Sequence, residues 1–207
     1  VLARLVGDVA AGASRTVFVH GPAGIGKSAL LQHVVELARA ADFRVARGVA
    51  ASIEGGWPFA AVVEALADLC RHHPTLLDGL ADTHRAELDR VLGGGDLAWS
   101  GESTHQRLFV AGAELVRLAA ATSGLLIALD DVHDGDDASL RLLHYLARSA
   151  HGHRVLIAVA HRSAVDHPTL AETRSSLVDR YGAHDLLLTP LGADAAAQLA
   201  ARVAGEL

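Results

Sequence analysis

Apolar residues in this chain fall into two kinds of run. Five short, nearly unbroken runs rich in Val, Leu and Ile cover Thr16 to His20, Arg44 to Ala50, Leu125 to Asp130, Val155 to Ala160, and Asp185 to Thr189. Runs without alternation suit strands buried on both faces of a parallel sheet. Between them, apolar positions recur at helical spacing over Ser28 to Ala41, Pro58 to His72, Thr83 to Leu92, His105 to Ala121, and Ala138 to Ser149. Strand and helix alternate, which signals crossover units and predicts an α/β fold around a mostly parallel sheet of about five strands.

The long interval between the second and third strands holds two or three helices and the run Gly93-Gly94-Gly95, which reads as a loop or helix terminus. It is either a helical insertion or a lid. After Pro190, Asp194 to Ala204 reads as a further helix capped by Asp194. Residues 1–192 are accordingly expected to form one nucleotide-binding domain, with 193–207 the start of a following helical module. A length of 207 residues suits one α/β domain. The chain opens on Val1 and contains no methionine, so it is expected to begin inside a longer reading frame.

Composition narrows the partners. About half the residues are apolar but only 4% are aromatic, so the core must be built from Leu, Val and Ala. A net charge of −6 and a pI near 6.1 exclude a broad nucleic-acid-binding face, which needs clustered Lys and Arg. The single cysteine, Cys70, excludes an internal disulfide and suits a reducing compartment, so the cytoplasm is expected. No apolar run reaches the roughly 18 residues that span a bilayer, and no signal-peptide layout opens the chain.

The clearest chemistry lies at Gly21-Pro22-Ala23-Gly24-Ile25-Gly26-Lys27-Ser28, which fits G-x-x-x-x-G-K-[ST] at every fixed position. It stands directly after a strand and before a helix, the context that the motif requires. Its glycines let backbone N–H groups close on a polyphosphate, and the helix from Lys27 through Ala29 directs its positive end at the same anion. Lys27 would reach the β- and γ-phosphates of ATP, and the Ser28 hydroxyl would ligate Mg2+. Lys27 is the only lysine among 18 Lys plus Arg residues. A lone ammonium in a chain otherwise reliant on guanidinium marks a place where a compact charge is needed.

The third strand ends in Asp130-Asp131. A P-loop site needs a carboxylate at the carboxyl end of a neighbouring strand to hold the magnesium shell, a role that falls to Asp130. Asp131 is read as the group that orients or deprotonates the attacking water, against the alternative of a capping or solvated Asp. The run Asp130 to Asp137 does not fit a calcium loop, because Val132 and Arg141 stand where ligands would be.

With these motifs assembled, the chain resembles the ATPase domain of the STAND class, in particular the large ATP-binding LuxR-type transcriptional regulators related to the maltose activator. The matching stretches are His20 to Leu31, Arg47-Gly48 through Trp57-Pro58-Phe59 to Leu69, Leu125 to Leu146, and Val155 to Arg162. The resemblance implies a three-layer α/β/α P-loop fold with the phosphate-loop strand central. It also implies an ATP/ADP-gated switch that self-associates in the ATP state, with slow hydrolysis as the reset. Arg162 stands where that family carries a sensor arginine for the γ-phosphate. DNA would be bound only through a domain outside this chain, and the inducer is undefined. Asp134 stands where the family often has an aromatic residue. The rival readings are a nucleotide switch with negligible hydrolysis and a P-loop kinase of a small molecule.

Other residues are assigned by chemistry alone. Cys70, His72 and His73 lack the paired spacing of a zinc site and read as a solvated helix end. His133 and His161 fall near the nucleotide edge and could contact phosphate or a relay. Trp57-Pro58-Phe59 reads as a staple at a helix start, with base stacking the alternative.

Overall fold

The computed structural model describes residues 1–51, 58–93, 102–163, 166–194 and 196–198, with backbone only at 102–104. Five strands form one sheet: β1 (Arg15–Gly21), β2 (Arg44–Val49), β3 (Leu125–Asp130), β4 (Val155–Arg162) and β5 (His184–Leu187). They run in the order β2-β3-β4-β1-β5, and every pairing is parallel. The phosphate-loop strand β1 therefore lies inside the sheet but off its centre, since β4 holds the middle position. β4 also separates β1 from the acidic strand β3, so these two are not immediate neighbours.

Alternation along the strands sorts side chains to two faces. Val17, Val19, Leu126, Ala128, Leu156, Ala158 and Ala160 meet α1 (Leu2–Ala10) and α2 (Lys27–Ala40) in one core. Phe18, Leu125, Ile127, Leu129, Val155, Ile157 and Val159 meet the other core. That core is covered by α3 (Ala60–His72), α4 (Asp82–Leu92), α5 (Glu102–Thr122), α6 (Asp137–Ser149) and α7 (Pro168–Tyr181). The fold is a three-layer α/β/α arrangement with a fully parallel sheet.

The helices between β2 and β3 are thus a packed layer, the insertion rather than the lid. Gly93 caps α4, and the two glycines after it lie outside the described residues. Two helices went unread in the sequence. α1 buries Leu2, Leu5, Val6 and Val9 on one stripe, and α7 starts on Pro168 and closes on Gly182 in the left-handed conformation. The helix expected from Asp194 is helical at 193–194 and 196–198, and the rest of it lies outside the described residues.

Close contact fixes one residue outright. A Cβ on Gly48 of β2 would stand 2.0 Å from the Ala61 carbonyl oxygen, so α3 presses its backbone directly onto the strand. From the same helix, Glu64 and Asp68 accept hydrogen bonds from Val49 N and Arg47 N, two outward N–H groups of this edge strand. Phe59, fully buried ahead of α3, packs edge-on to the rings of His105 and Phe109. Trp57 lies outside the described residues. At the helix end expected to be solvated, Arg71 and His72 are exposed and His73 is half-buried, while Cys70 faces the core and is 8% exposed.

Candidate functional site

The carboxyl ends of the parallel strands carry the site, as expected where crossover loops converge. β1 ends at Gly21, and the chain turns through Gly24 and Gly26 at φ of +74° and +104° before α2 begins at Lys27. Those angles suit glycine, and an added Cβ at either position would meet nothing within 4 Å, so the loop borders open space. No side chain caps α2. Its first-turn N–H groups therefore face the opening without an intrahelical partner, the arrangement that accepts an anion.

That opening is a hollow of about 290 Å³ lined by Ala23, Gly24, Gly26, Lys27, Ser28, Ala29, Asp131 and Arg162. Lys27 is 6% exposed, and its Nζ donates to the carbonyls of Gly21 at 3.3 Å and Pro22 at 3.0 Å. The ammonium is held inside the bend of its own loop. Gly21 itself is buried and Ile25 half-buried, while Pro22 and Ser28 are exposed.

Arg162 arrives from β4. Strand register sets it level with Gly21, and Ser163 N bonds to the Gly21 carbonyl, so the guanidinium borders the loop entrance. Among the described residues it forms no ion pair. From β3 come the two carboxylates. Asp131 takes a left-handed backbone, φ +50°, which Asp tolerates better than most residues, and it lines the hollow. Asp130 is not among the lining residues; its Oδ1 accepts from Asp131 N at 2.9 Å. The structure thus gathers Lys27, Ser28, Asp131 and Arg162 around one space and sets Asp130 just behind it.

Neither His133 nor His161 lines the hollow. His161 stacks on His20, its register partner in β1, with centroids 5.2 Å apart and planes at 4°. Arg174 of α7 makes a two-pronged ion pair with Asp185 of β5, and Asp185 Oδ1 lies 3.2 Å from His20 Nε2. Burial lowers the pKa of both imidazoles, against the raising influence of Asp185. His133 sits in the turn Val132–Asp134 with its pKa also lowered by burial; Asp134 and Asp131 raise it, and Arg162 and Lys27 lower it further.

Asp136 is the contributor that sequence reading passed over. Its carboxylate caps α6 by accepting from Ser139 N and Oγ, and it also accepts from Phe59 N at 3.0 Å. One side chain thereby ties the turn after the acidic strand to the start of α3. The signal was present as Asp136 three residues before Ser139, but only tertiary structure brings Phe59 to it.

The hollow fits a polyphosphate with its cation. Exposed backbone, an uncapped helix start and a buried ammonium receive the anion, and a hydroxyl with nearby carboxylates offers the oxygen ligands magnesium prefers. The sequence pattern of the AAA ATPase domain matches residues 1–158, and the chain belongs to that family. It is a nucleotide-binding ATPase domain. Among solved structures it is similar to Cdc6p from Pyrobaculum aerophilum, with 17% identity and a TM-score of 0.52 over 96% of this chain and 46% of that one. It is also similar to PCH-2 of C. elegans, with 18% identity and a TM-score of 0.45 over 92% of this chain and 41% of that one. The chain spans less than half the length of either. No curated protein matches it. No helix among the described residues is long and apolar enough to cross a membrane.

Proposed function

We propose that this chain is the nucleotide-gated switch of a larger cytoplasmic regulator, of the LuxR-type STAND class that its sequence resembles. Residues 1–192 are the switch domain and 193–207 open a helical module. ATP is bound along Gly21 to Ala29, with Lys27 on the β- and γ-phosphates. Ser28 and Asp130 would hold Mg2+, which would supply charge neutralisation at the phosphates. Asp131 takes the proton of the attacking water, and Arg162 reads the γ-phosphate. Replacement of ATP by ADP ends self-association, and DNA is contacted only through a domain outside this chain. The observation that carries the reading is the shared hollow, where a buried lysine, a serine, an acidic strand end and an arginine without an ion pair among the described residues converge from three strands.

The test compares nucleotide binding with turnover. Lys27→Ala is expected to weaken Mg·ATP binding about 100-fold, because hydrogen bonds to charged groups contribute about 1.5–3 kcal/mol each. Asp131→Asn is expected to bind ATP normally and to hydrolyse it at least about 100-fold more slowly, the scale of a lost general base. Fluorescent-nucleotide titration and phosphate release measure the two. Wild-type affinity in Lys27→Ala would sink the phosphate-loop reading. Unchanged turnover in Asp131→Asn would remove the base, and phosphate appearing on an added metabolite would make the chain a kinase.

A further inference from the structure

His133 is the residue beside the hollow that this reading leaves without a task. Its side chain is 1% exposed, yet among the described residues neither ring nitrogen has a hydrogen-bond partner. A buried polar atom without a partner is uncommon in a folded protein and points to a group it is poised to meet. Two carboxylates flank the ring. Nδ1 lies 3.8 Å from Asp131 Oδ1, and Nε2 lies 3.6 Å from Asp134 Oδ2. Both distances lie about 0.5 Å beyond the upper limit of an N–H···O hydrogen bond.

The ring is the fixed member of the group. It stands on the turn Val132–Asp134, where Val132 is buried and Asp134 N bonds to the Asp131 carbonyl at 2.8 Å. The carboxylates are the adjustable members, with side chains 38% and 39% exposed. Asp134 can turn to solvent. Asp131 lines the hollow, so a ligand there closes off its water and leaves the ring N–H as the donor within reach.

We propose that His133 is a positioning residue for Asp131: its Nδ1–H donates to the Asp131 carboxylate when nucleotide fills the hollow. A carboxylate at the end of a half-exposed side chain has two free torsions. One hydrogen bond from a buried ring removes that freedom and leaves the second oxygen directed at the attacking water. His133 touches neither nucleotide nor water, and acts only through Asp131. The inference rests on the reading of Asp131 as base, and its test separates the two.

His133→Phe keeps an aromatic ring in the buried site and removes both nitrogens. His133→Asn keeps an N–H near the position of Nδ1. In the 207-residue chain, His133→Phe should leave Mg·ATP affinity within about twofold and slow single-turnover hydrolysis at least about tenfold, and His133→Asn should restore most of that rate. Nitrogen NMR of labelled histidine, with magnesium and a non-hydrolysable ATP analogue, reads the same contact without turnover. The His133 proton should sit on Nδ1, and its resonance should move in Asp131→Asn. Wild-type hydrolysis in His133→Phe, equal slowing in Phe and Asn, or a proton on Nε2 in the complex would overturn the proposal. If Asp131→Asn hydrolyses as wild type does, the base reading fails and carries this inference with it. If Asp131→Asn is slow and His133→Phe is not, this inference alone falls.

Discussion

Lys27 and Gly48 show how differently single residues can be constrained. Gly48 answers to space alone: any Cβ meets the Ala61 carbonyl, so Gly48→Ala must push α3 off the sheet. Its expected cost is about 1–3 kcal/mol, the range for overpacking a tight contact, read from urea melts monitored by circular dichroism. Lys27 answers to charge, and it was legible from composition because every other strong cation is an arginine. Asp131 was legible as a carboxylate but not in its left-handed backbone, since nothing local demands φ of +50°. Cys70 illustrates the reverse error. Its polar neighbours His72 and His73 suggested solvent, whereas helical spacing turns Cys70 inward with Leu66 and Leu69. Burial pushes its thiol up to about 11. A thiol reagent at pH 8 should therefore leave the folded chain unlabelled and modify it as urea unfolds it; labelling at the rate of free cysteine without denaturant would contradict this.

Secondary-structure elements were legible where burial was complete. The inner strands β1, β3 and β4 are apolar because helices cover both faces, so their sequences carry the signal directly, whereas the border strands β2 and β5 are partly exposed. α7 was hidden because it buries little, only Leu170, Thr173 and Leu177. α1 carries the helical period in Leu2, Leu5, Val6 and Val9, but it is short and precedes the first strand. What no local pattern could give is the bridge between elements. Asp136 caps α6 and holds Phe59 N, so Asp136→Ala should cost about 1–2 kcal/mol, more than Asp137→Ala on the exposed first turn. A side-by-side denaturation of the two variants measures the difference. On β2 the sealed edge makes a separate prediction. Glu64→Ala with Asp68→Ala bares two outward N–H groups, and light scattering at equal concentration should show earlier aggregation than in wild type.

For the molecule as a whole, pH acts through the buried imidazoles. His20 and His161 are 9% and 5% exposed and have lowered pKa values because burial disfavours the charged ring. Below about pH 6.5 the unfolded chain takes up protons that these folded rings refuse, so stability present at neutral pH is lost as pH falls. The slope approaches about 1.4 kcal/mol per pH unit for each ring that stays unprotonated. Asp185 behaves otherwise. Arg174 holds its carboxyl below the ordinary range, so its contribution persists until the pH drops through carboxylate values. Urea midpoints at pH 7.5 and 5.5 should differ in wild type and differ less in His161→Phe; equal midpoints in wild type would remove this account.

The two borders of the sheet are chemically unlike. On β2 two outward amides are already satisfied by α3, whereas β5, at the other end, pairs with β1 alone among the described residues. A sheet with two bare borders can add chain after chain and grow into a fibre. A sheet with one can be joined once, border to border, and then offers nothing further. Strand pairing between copies of this domain through β5 would therefore end at a twofold pair, because Asp68 and Glu64 already hold Arg47 N and Val49 N on the opposite border.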